Sequence, residues 1–262
     1  MANTVNGREV RPVQALVHAL EVLEALGEHR ELGVSELSRE IGLSKTAVYN
    51  ILGTFESLRF VRRDPSSSRY KLGWRLNELG ALVLSGNDLD PVVTRPLLQK
   101  LAIETGESVL LSVLDREGVT YIDRVESHRP IRMVAAPGRQ SPLHATASGK
   151  VLLAYQPAEV IDSVLDGTLT RFTDSTITDP AKLRKQLAEI AANEFASVVR
   201  ENEPDLSSVA VPIRDYSNEV IAALAIAAPA DRLDSDSARE GVLSSLRDTA
   251  QEIESHLGVN HS

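Results

Sequence analysis

The chain has 262 residues, enough for two ordinary domains, and its 42% hydrophobic and 25% charged residues are ordinary for a globular protein. It contains no cysteine, which excludes disulfides, thiolate metal sites and cysteine nucleophiles. The net charge of −9 is unevenly spread: residues 1–75 carry 11 Lys/Arg against 9 Asp/Glu, and residues 76–262 carry 17 against 28. Within the first part, 1–41 sums to −3 and 42–75 to +5, so a short basic segment sits on an acidic chain. Such a segment is the footprint of a small anion-binding surface. The N-terminus has no charged region followed by an apolar core, and the longest apolar run, 220–230, is short of the roughly 20 residues a membrane helix needs. A cytoplasmic protein without membrane contact is therefore expected.

Residues 1–10 are polar and aperiodic, the pattern of a flexible arm. Val13, Leu16, Leu20 and Leu23 then recur at helical spacing, widened by Val17 and Leu26, and Gly27 closes this first helix. A second helix is predicted from Ser35 as N-cap, burying Leu37 and Ile41 and stopping at Gly42. Ser44 caps a third, with Val48, Ile51, Leu52, Phe55 and Leu58 as its apolar side. Two short strands follow at 60–63 and 69–72, joined by the turn Asp64-Pro65-Ser66-Ser67-Ser68. Three short helices, a tight Gly42-Leu43-Ser44 connection and a hairpin form the winged helix-turn-helix pattern.

Burying the apolar side of the third helix turns Lys45, Thr46, Tyr49, Asn50 and Gly53 outward. That stripe suits a major groove: Asn50 can pair with an adenine edge, Lys45 can reach guanine or phosphate, and Thr46 can meet a thymine methyl. Arg62, Arg63, Arg69 and Lys71 flank the wing and are expected on phosphates or in the minor groove. Ser35 and Ser44 at the helix starts and Arg11 next to the arm complete the expected DNA-contacting set. Each side chain alone is an ordinary exposed polar residue; together, on this fold, they favour double-stranded DNA as a partner.

A helix is predicted over 74–85, and Asp90-Pro91 opens another reaching about Thr105. Beyond Glu107 the pattern alternates, with strands at 109–113 and 119–123 around Arg116-Glu117-Gly118, and a further strand at 131–134. The stretch 138–150 reads as a loop and 151–155 as helical. Helices at 157–166 and 180–193, strands at 196–201, 207–213 and 219–228, and a long helix at 235–257 complete the chain. The expected organisation is an arm (1–10), a winged helix-turn-helix domain (11–73), a linker helix (74–88) and an α+β domain (89–258) around one antiparallel sheet.

His144, Ser148 and Lys150 lie close together and raise the alternative of an enzyme using His144 and Ser148. Ser148-Gly149-Lys150 is not a phosphate-binding loop, and there is no HExxH, no GxSxG and no SxxK containing these residues. No metal or cofactor is expected. A second alternative, a sensor or oligomerisation protein that reads no DNA, is opposed by the outward stripe and the basic segment.

The stretches 33–80, 95–127, 131–154 and 207–229 resemble the IclR-type bacterial transcriptional regulators, above all PLHATASGK at 142–150. The resemblance implies a C-terminal effector-binding domain with a GAF-like α/β fold, homodimers that often pair into tetramers, palindromic operators, and effectors that are mostly small organic or aromatic acids. It also implies an effector pocket lined by Met133, Leu143, Ala147, Ser148, Val198, Ser208, Ala225 and Ala227, with Gly149 beside Ser148 at the helix start. Small residues where a loop enters a helix leave backbone N–H groups open to a carboxylate, although small residues equally serve tight packing. Val198, Ala225 and Ala227 are apolar where organic-acid-binding members commonly have acidic or hydroxyl side chains, which favours a larger, more apolar acid. His18 stands where Arg is frequent, Glu194-Phe195 where Gly-Tyr is common, and Asp205 where Gly is frequent.

Overall fold

The computed structural model describes residues 4–5, 8–9, 12–85, 89–115, 118–129 and 141–259, with only the backbone of 4, 5, 8, 9 and 81–85. The chain divides into two compact units, Met1–Asn87 and Asp88–Ser262. The expected strand at 131–134, Met133 and Arg11 lie outside the described residues.

In the first unit, strands β1 (Thr4–Val5) and β2 (Arg8–Glu9) form a minimal antiparallel pair inside the segment expected to be an arm. The intervening sequence is Asn6-Gly7, the dipeptide that most favours a two-residue hairpin. Helix α1 (Gln14–His29) runs two residues past Gly27, and Arg30 closes it at φ 62°. Its buried residues are Val22, Ala25 and Leu26, whereas Val13, Leu16 and Leu20 are about 60% exposed (62, 63 and 58%). Only the C-terminal half of the expected stripe thus meets the core.

Helix α2 (Val34–Ile41) begins one residue before Ser35, with Gly33 at the N-cap. Leu32 exchanges backbone hydrogen bonds with Tyr70 (3.1 and 2.8 Å), so the chain is extended there and turns helical directly after it. Glu36 accepts from the Gly33 N–H at 2.8 Å, so the N-cap role expected of Ser35 falls to Gly33 with Glu36 reaching back to it. Helix α3 (Lys45–Ser57) is capped as expected: the Ala47 N–H donates to Ser44 Oγ at 3.2 Å. Val48 and Leu52 are fully buried with Leu37, Leu26 and Val22, while Leu58 is exposed beyond the helix end. The wing is β3 (Val61–Arg63) against β4 (Tyr70–Leu72), and α4 (Trp74–Ser85) follows immediately.

The second unit is built on one five-stranded antiparallel sheet of order β6-β5-β9-β8-β7, from β5 (Ser108–Asp115), β6 (Gly118–Val125), β7 (Ala196–Val199), β8 (Leu206–Arg214) and β9 (Val220–Pro229). Successive side chains alternate between faces. Ala222, Leu224 and Ile226 of β9 face α5 (Pro91–Thr105) and α9 (Asp236–His256); Ala223, Ala225 and Ala227 face α6 (Ala147–Ala154) and α8 (Pro180–Asn193). A short α7 (Ala158–Leu165) packs against both α6 and α8. The long run at 220–230 is therefore a central strand buried on both faces, which an alternating pattern could not have shown.

Helix α6 starts four residues earlier than its expected start at Val151, because Thr146 caps it by accepting from the Gly149 N–H at 3.1 Å. A Cβ at Gly149 would stand 2.6 Å from the Leu143 Cα and carbonyl oxygen, so close packing of the preceding turn requires glycine there. Lys150, one residue on, has no exposure at all, and its Nζ meets Glu201 Oε1 at 2.5 Å. Thr173 and Thr176 donate to the carbonyls of Arg200 and Glu201 (2.5 and 2.6 Å), strapping the segment 170–177 over the end of β7.

Desolvation pushes the Lys150 ammonium below its usual pKa, partly offset by the Glu201 charge. Glu201→Gln removes that offset and is expected to destabilise the protein by about 3–5 kcal/mol. The unfolded chain then holds a proton the folded one sheds more easily, so the deficit shrinks as pH rises. Urea unfolding of wild type and variant across the alkaline range measures both.

Candidate nucleic-acid interface and effector site

On α3 the outward set is arranged as the helical wheel requires: Lys45, Thr46, Tyr49, Asn50 and Gly53 are exposed, with Tyr49 at 59%. Thr46, Asn50 and Gly53 occupy one stripe of successive turns, held toward solvent because Val48 and Leu52 are anchored behind them. Ser44 spends its hydroxyl on the cap, and Ser35 is exposed inside α2, where its carbonyl accepts from the Arg39 guanidinium at 3.3 Å.

The basic residues of the wing fall into two groups. Arg69 meets Glu36 at 2.9 Å and Glu31 at 3.4 Å, and Lys71 meets Glu31 at 2.8 Å and Asp64 at 3.6 Å. These two fasten the hairpin to the start of α2. Arg62 and Arg63 on β3 are exposed; Arg63 donates to Ser68 Oγ at 3.0 Å, and Arg62 has no ion-pair partner among the described residues. The wing tip is closed by Asp64, which accepts from the Ser66 hydroxyl (2.6 Å) and the N–H groups of Ser66 (2.9 Å) and Ser67 (3.3 Å). Sequence spacing alone could not separate the two groups, because the partners of Arg69 lie more than thirty residues away on α2 and before it.

In the second unit, Val198, Ser208 and Ala227 are direct cross-strand neighbours, and Ala225 lies two residues from Ala227 on the same face. Leu143, Ala147, Val198, Ala225 and Ala227 belong to one buried cluster, and Ser148 and Gly149 lie in the first turn of α6. Among the described residues the N–H groups of Ala147 and Ser148 donate to no protein acceptor, while Gly149 donates to the cap. His144 is committed elsewhere: its Nε2 bonds the Thr170 carbonyl at 2.8 Å and its ring lies 5.7 Å from that of Phe172. No hydrogen bond joins His144 to Ser148 among the described residues, so the nucleophile–base contact an enzyme would need is not formed. The buried Lys150–Glu201 pair had no sequence signal beyond a lysine in a small-residue stretch. The exposed group Glu28, His29 and Glu40, whose ligand atoms lie within 4.8 Å of one another, has its His29 and Glu40 already joined at 3.0 Å.

Two family models match: the IclR helix-turn-helix domain over residues 15–65 and the bacterial transcriptional regulator IclR C-terminal domain over 82–255. The chain belongs to the IclR family. It is 33% identical to the transcriptional regulator KdgR of Escherichia coli over 261 residues, 99% of this chain and 98% of that protein. It is 34% identical to the glycerol operon regulatory protein of Streptomyces coelicolor, over 95% of this chain and 98% of that one. The crystal structure of Thermotoga maritima IclR superposes with a TM-score of 0.78 at 30% identity, covering 94% of this chain and all (100%) of that one. An IclR homologue of Microbacterium hydrocarbonoxydans, solved in complex with 4-hydroxybenzoate, gives 0.80 at 28% identity over 93% and 99% of the two chains. This IclR-family chain is a DNA-binding transcriptional regulator and not an enzyme. Among its described residues no helix is long and apolar enough to cross a membrane.

The IclR-type wing of this regulator carries a built-in pH response. The Ser66 hydroxyl, then the Ser66 and Ser67 amides, lower the Asp64 pKa to about 2 from 3.8. Because the folded value is depressed, this carboxylate supports the folded turn above pH 3.8 and the support is lost as pH falls toward about 2. The protection of the Ser66 and Ser67 amides, measured as exchange relative to each amide's intrinsic rate at the same pH, is expected to fall over that window in wild type and to be already lost in Asp64→Ala at neutral pH.

Proposed function

We propose that this regulator binds a palindromic operator as a homodimer, or as a dimer of dimers, with α3 in the major groove and the wing on the flanking backbone. An acid bound on the α6 face of the second unit's sheet tunes its DNA affinity. The observation that carries the first half is the exposed Thr46–Asn50–Gly53 stripe beside Lys45 and Tyr49, on a helix whose opposite face is sealed by Val48 and Leu52. Asn50 is the assigned base reader and Arg62 and Arg63 the assigned phosphate contacts. The exposed Val13, Leu16 and Leu20 on α1 supply an apolar surface that self-association would cover.

For the effector, the floor formed by Val198, Ala225 and Ala227 offers no hydrogen-bond group, Ser208 offers one hydroxyl, and the start of α6 offers the Ala147 and Ser148 amides. That set suits an aromatic or otherwise apolar acid, its carboxylate at the helix start and its apolar body on the alanines. The Microbacterium homologue's complex with 4-hydroxybenzoate supports the same class.

Asn50→Ala is expected to reduce operator binding by about 1–3 kcal/mol while leaving binding to random duplex unchanged. Gel-shift titrations on both DNAs check it, and an equal loss on each removes Asn50 as a base reader. In calorimetry, hydroxybenzoate-like acids are expected to bind more tightly than glyoxylate or pyruvate; the reverse order overturns the apolar-acid assignment.

A further inference from the structure

Seven basic residues make the segment 42–75 positive. Arg69 and Lys71 are held by carboxylates, and Lys45 stands at the start of α3. The remaining four, Arg59, Arg62, Arg63 and Arg75, line a single cleft of about 320 Å³ between the end of α3, β3 and the first turn of α4, with Trp74 among the lining residues. Trp74 is 73% exposed, an unusual position for an indole on a soluble surface.

The cleft is built by a tight backbone seam. The Gly73 N–H donates to the Phe60 carbonyl at 2.7 Å and the Arg75 N–H to the Arg59 carbonyl at 3.4 Å. A Cβ at Gly73 would lie 2.2 Å from the Arg59 oxygen, so only glycine lets the two segments meet. Arg59 itself adopts φ 64°, a left-handed conformation that arginine rarely takes. Glu78 contacts both Arg75 (2.8 Å) and Arg59 (3.5 Å) from one side, and Glu56 of α3 contributes a second carboxylate.

We propose that this cleft is a second DNA-backbone site, in which Arg59, Arg75 and the Trp74 indole grip phosphodiester groups beyond the bases that α3 reads. It rests on the reading that α3 and β3 face DNA, and adds contacts made by the start of the linker helix. Four guanidinia and an indole N–H outnumber the two carboxylates that face them, Glu78 and Glu56, and Arg62 meets no carboxylate among the described residues, so the cleft stays positive and its occupant must be anionic and rich in acceptors. Glu56 lies two turns beyond Tyr49 on the same side of α3. The cleft therefore continues the reading face at its C-terminal end, roughly 10 Å beyond Asn50 along the helix axis. An anionic strand following the groove passes there.

Trp74 is the chain's one tryptophan, so its fluorescence reports on this cleft directly. Titrating the full-length regulator with a three-turn duplex of random sequence is expected to shift Trp74 emission and shield it from acrylamide. Arg75→Ala is expected to weaken operator and random duplex alike, and to flatten the salt dependence by about 0.9 in log–log slope for each phosphate contact removed. Arg75→Lys is expected to keep most of that slope. Emission and quenching that stay unchanged while anisotropy shows DNA saturated overturn the proposal, as does an Arg75→Ala slope equal to wild type. The reading of α3 fails separately: there Asn50→Ala leaves operator preference intact, or the wild-type protein binds no DNA.

Discussion

The second unit is organised around one buried charge. Lys150 has no solvent exposure, and an ammonium there is tolerable only because Glu201 meets it at 2.5 Å and is itself fixed by the 170–177 strap. Separating the two would leave a charge in a low-dielectric interior at a cost of several kcal/mol, far above that of a surface pair. The pair therefore sets where α6 begins relative to the end of β7. The first turn of α6, the Thr146 cap and the alanine face of β9 take their positions from that arrangement. The acid proposed to bind at the start of α6 would meet a floor packed into the core.

In the first unit the ordering principle is how cations are distributed. Arg69 and Lys71 are spent on Glu31, Glu36 and Asp64, which anchors the wing to α2 and removes two of the expected backbone contacts from easy reach of DNA. Exposed pairs of this kind contribute little stability one by one, but a shared network on one hairpin restricts its orientation. A basic segment that looked uniform is thus divided by where the nearest carboxylates lie: Glu31 and Glu36 reach Arg69 and Lys71, whereas Arg62, although opposite Lys71 in the hairpin register, meets none among the described residues.

Much of this was legible because local chemistry and tertiary packing agree. Ser44, Gly42 and the Val48/Leu52 spacing placed α3 and its outward stripe, and Asp90-Pro91, Asp179-Pro180 and Ser235 mark helix starts that the structure keeps. Misreadings occurred where a distant contact overrides a local signal. Leu32 pairing with Tyr70 moves the start of α2 ahead of Ser35, and the Thr146 cap draws Ala147–Lys150 into α6 from an apparent loop. Glu194 is instructive in another way. It closes α8 at φ 59°, where glycine fits without strain, and answers Arg214 across 2.9 Å. The departure from the family's Gly-Tyr thus exchanges backbone ease for an ion pair that no periodicity reveals. That Val198, Ser208, Ala225 and Ala227, expected to line an effector pocket, share a face follows only from the register of β7, β8 and β9, which periodicity does not give.

The seam at Gly73 bears on how a signal could reach DNA. The first turn of α4 is hydrogen-bonded to the residues that end α3 and begin β3, with no room for even a methyl group between them. Rotating the start of α4 therefore either breaks these bonds or carries α3 and the wing with it as one body. In the proposed homodimer, two such bodies on half-sites at a fixed spacing would be sensitive to small rotations, since each misplaced helix would lose several charge-assisted contacts together. Effector coupling of about 1–3 kcal/mol, a change of roughly 5–150-fold in affinity, needs only one or two such contacts altered. Under the proposed effector control, the tight glycine at the root of α4 would let modest forces on that helix suffice.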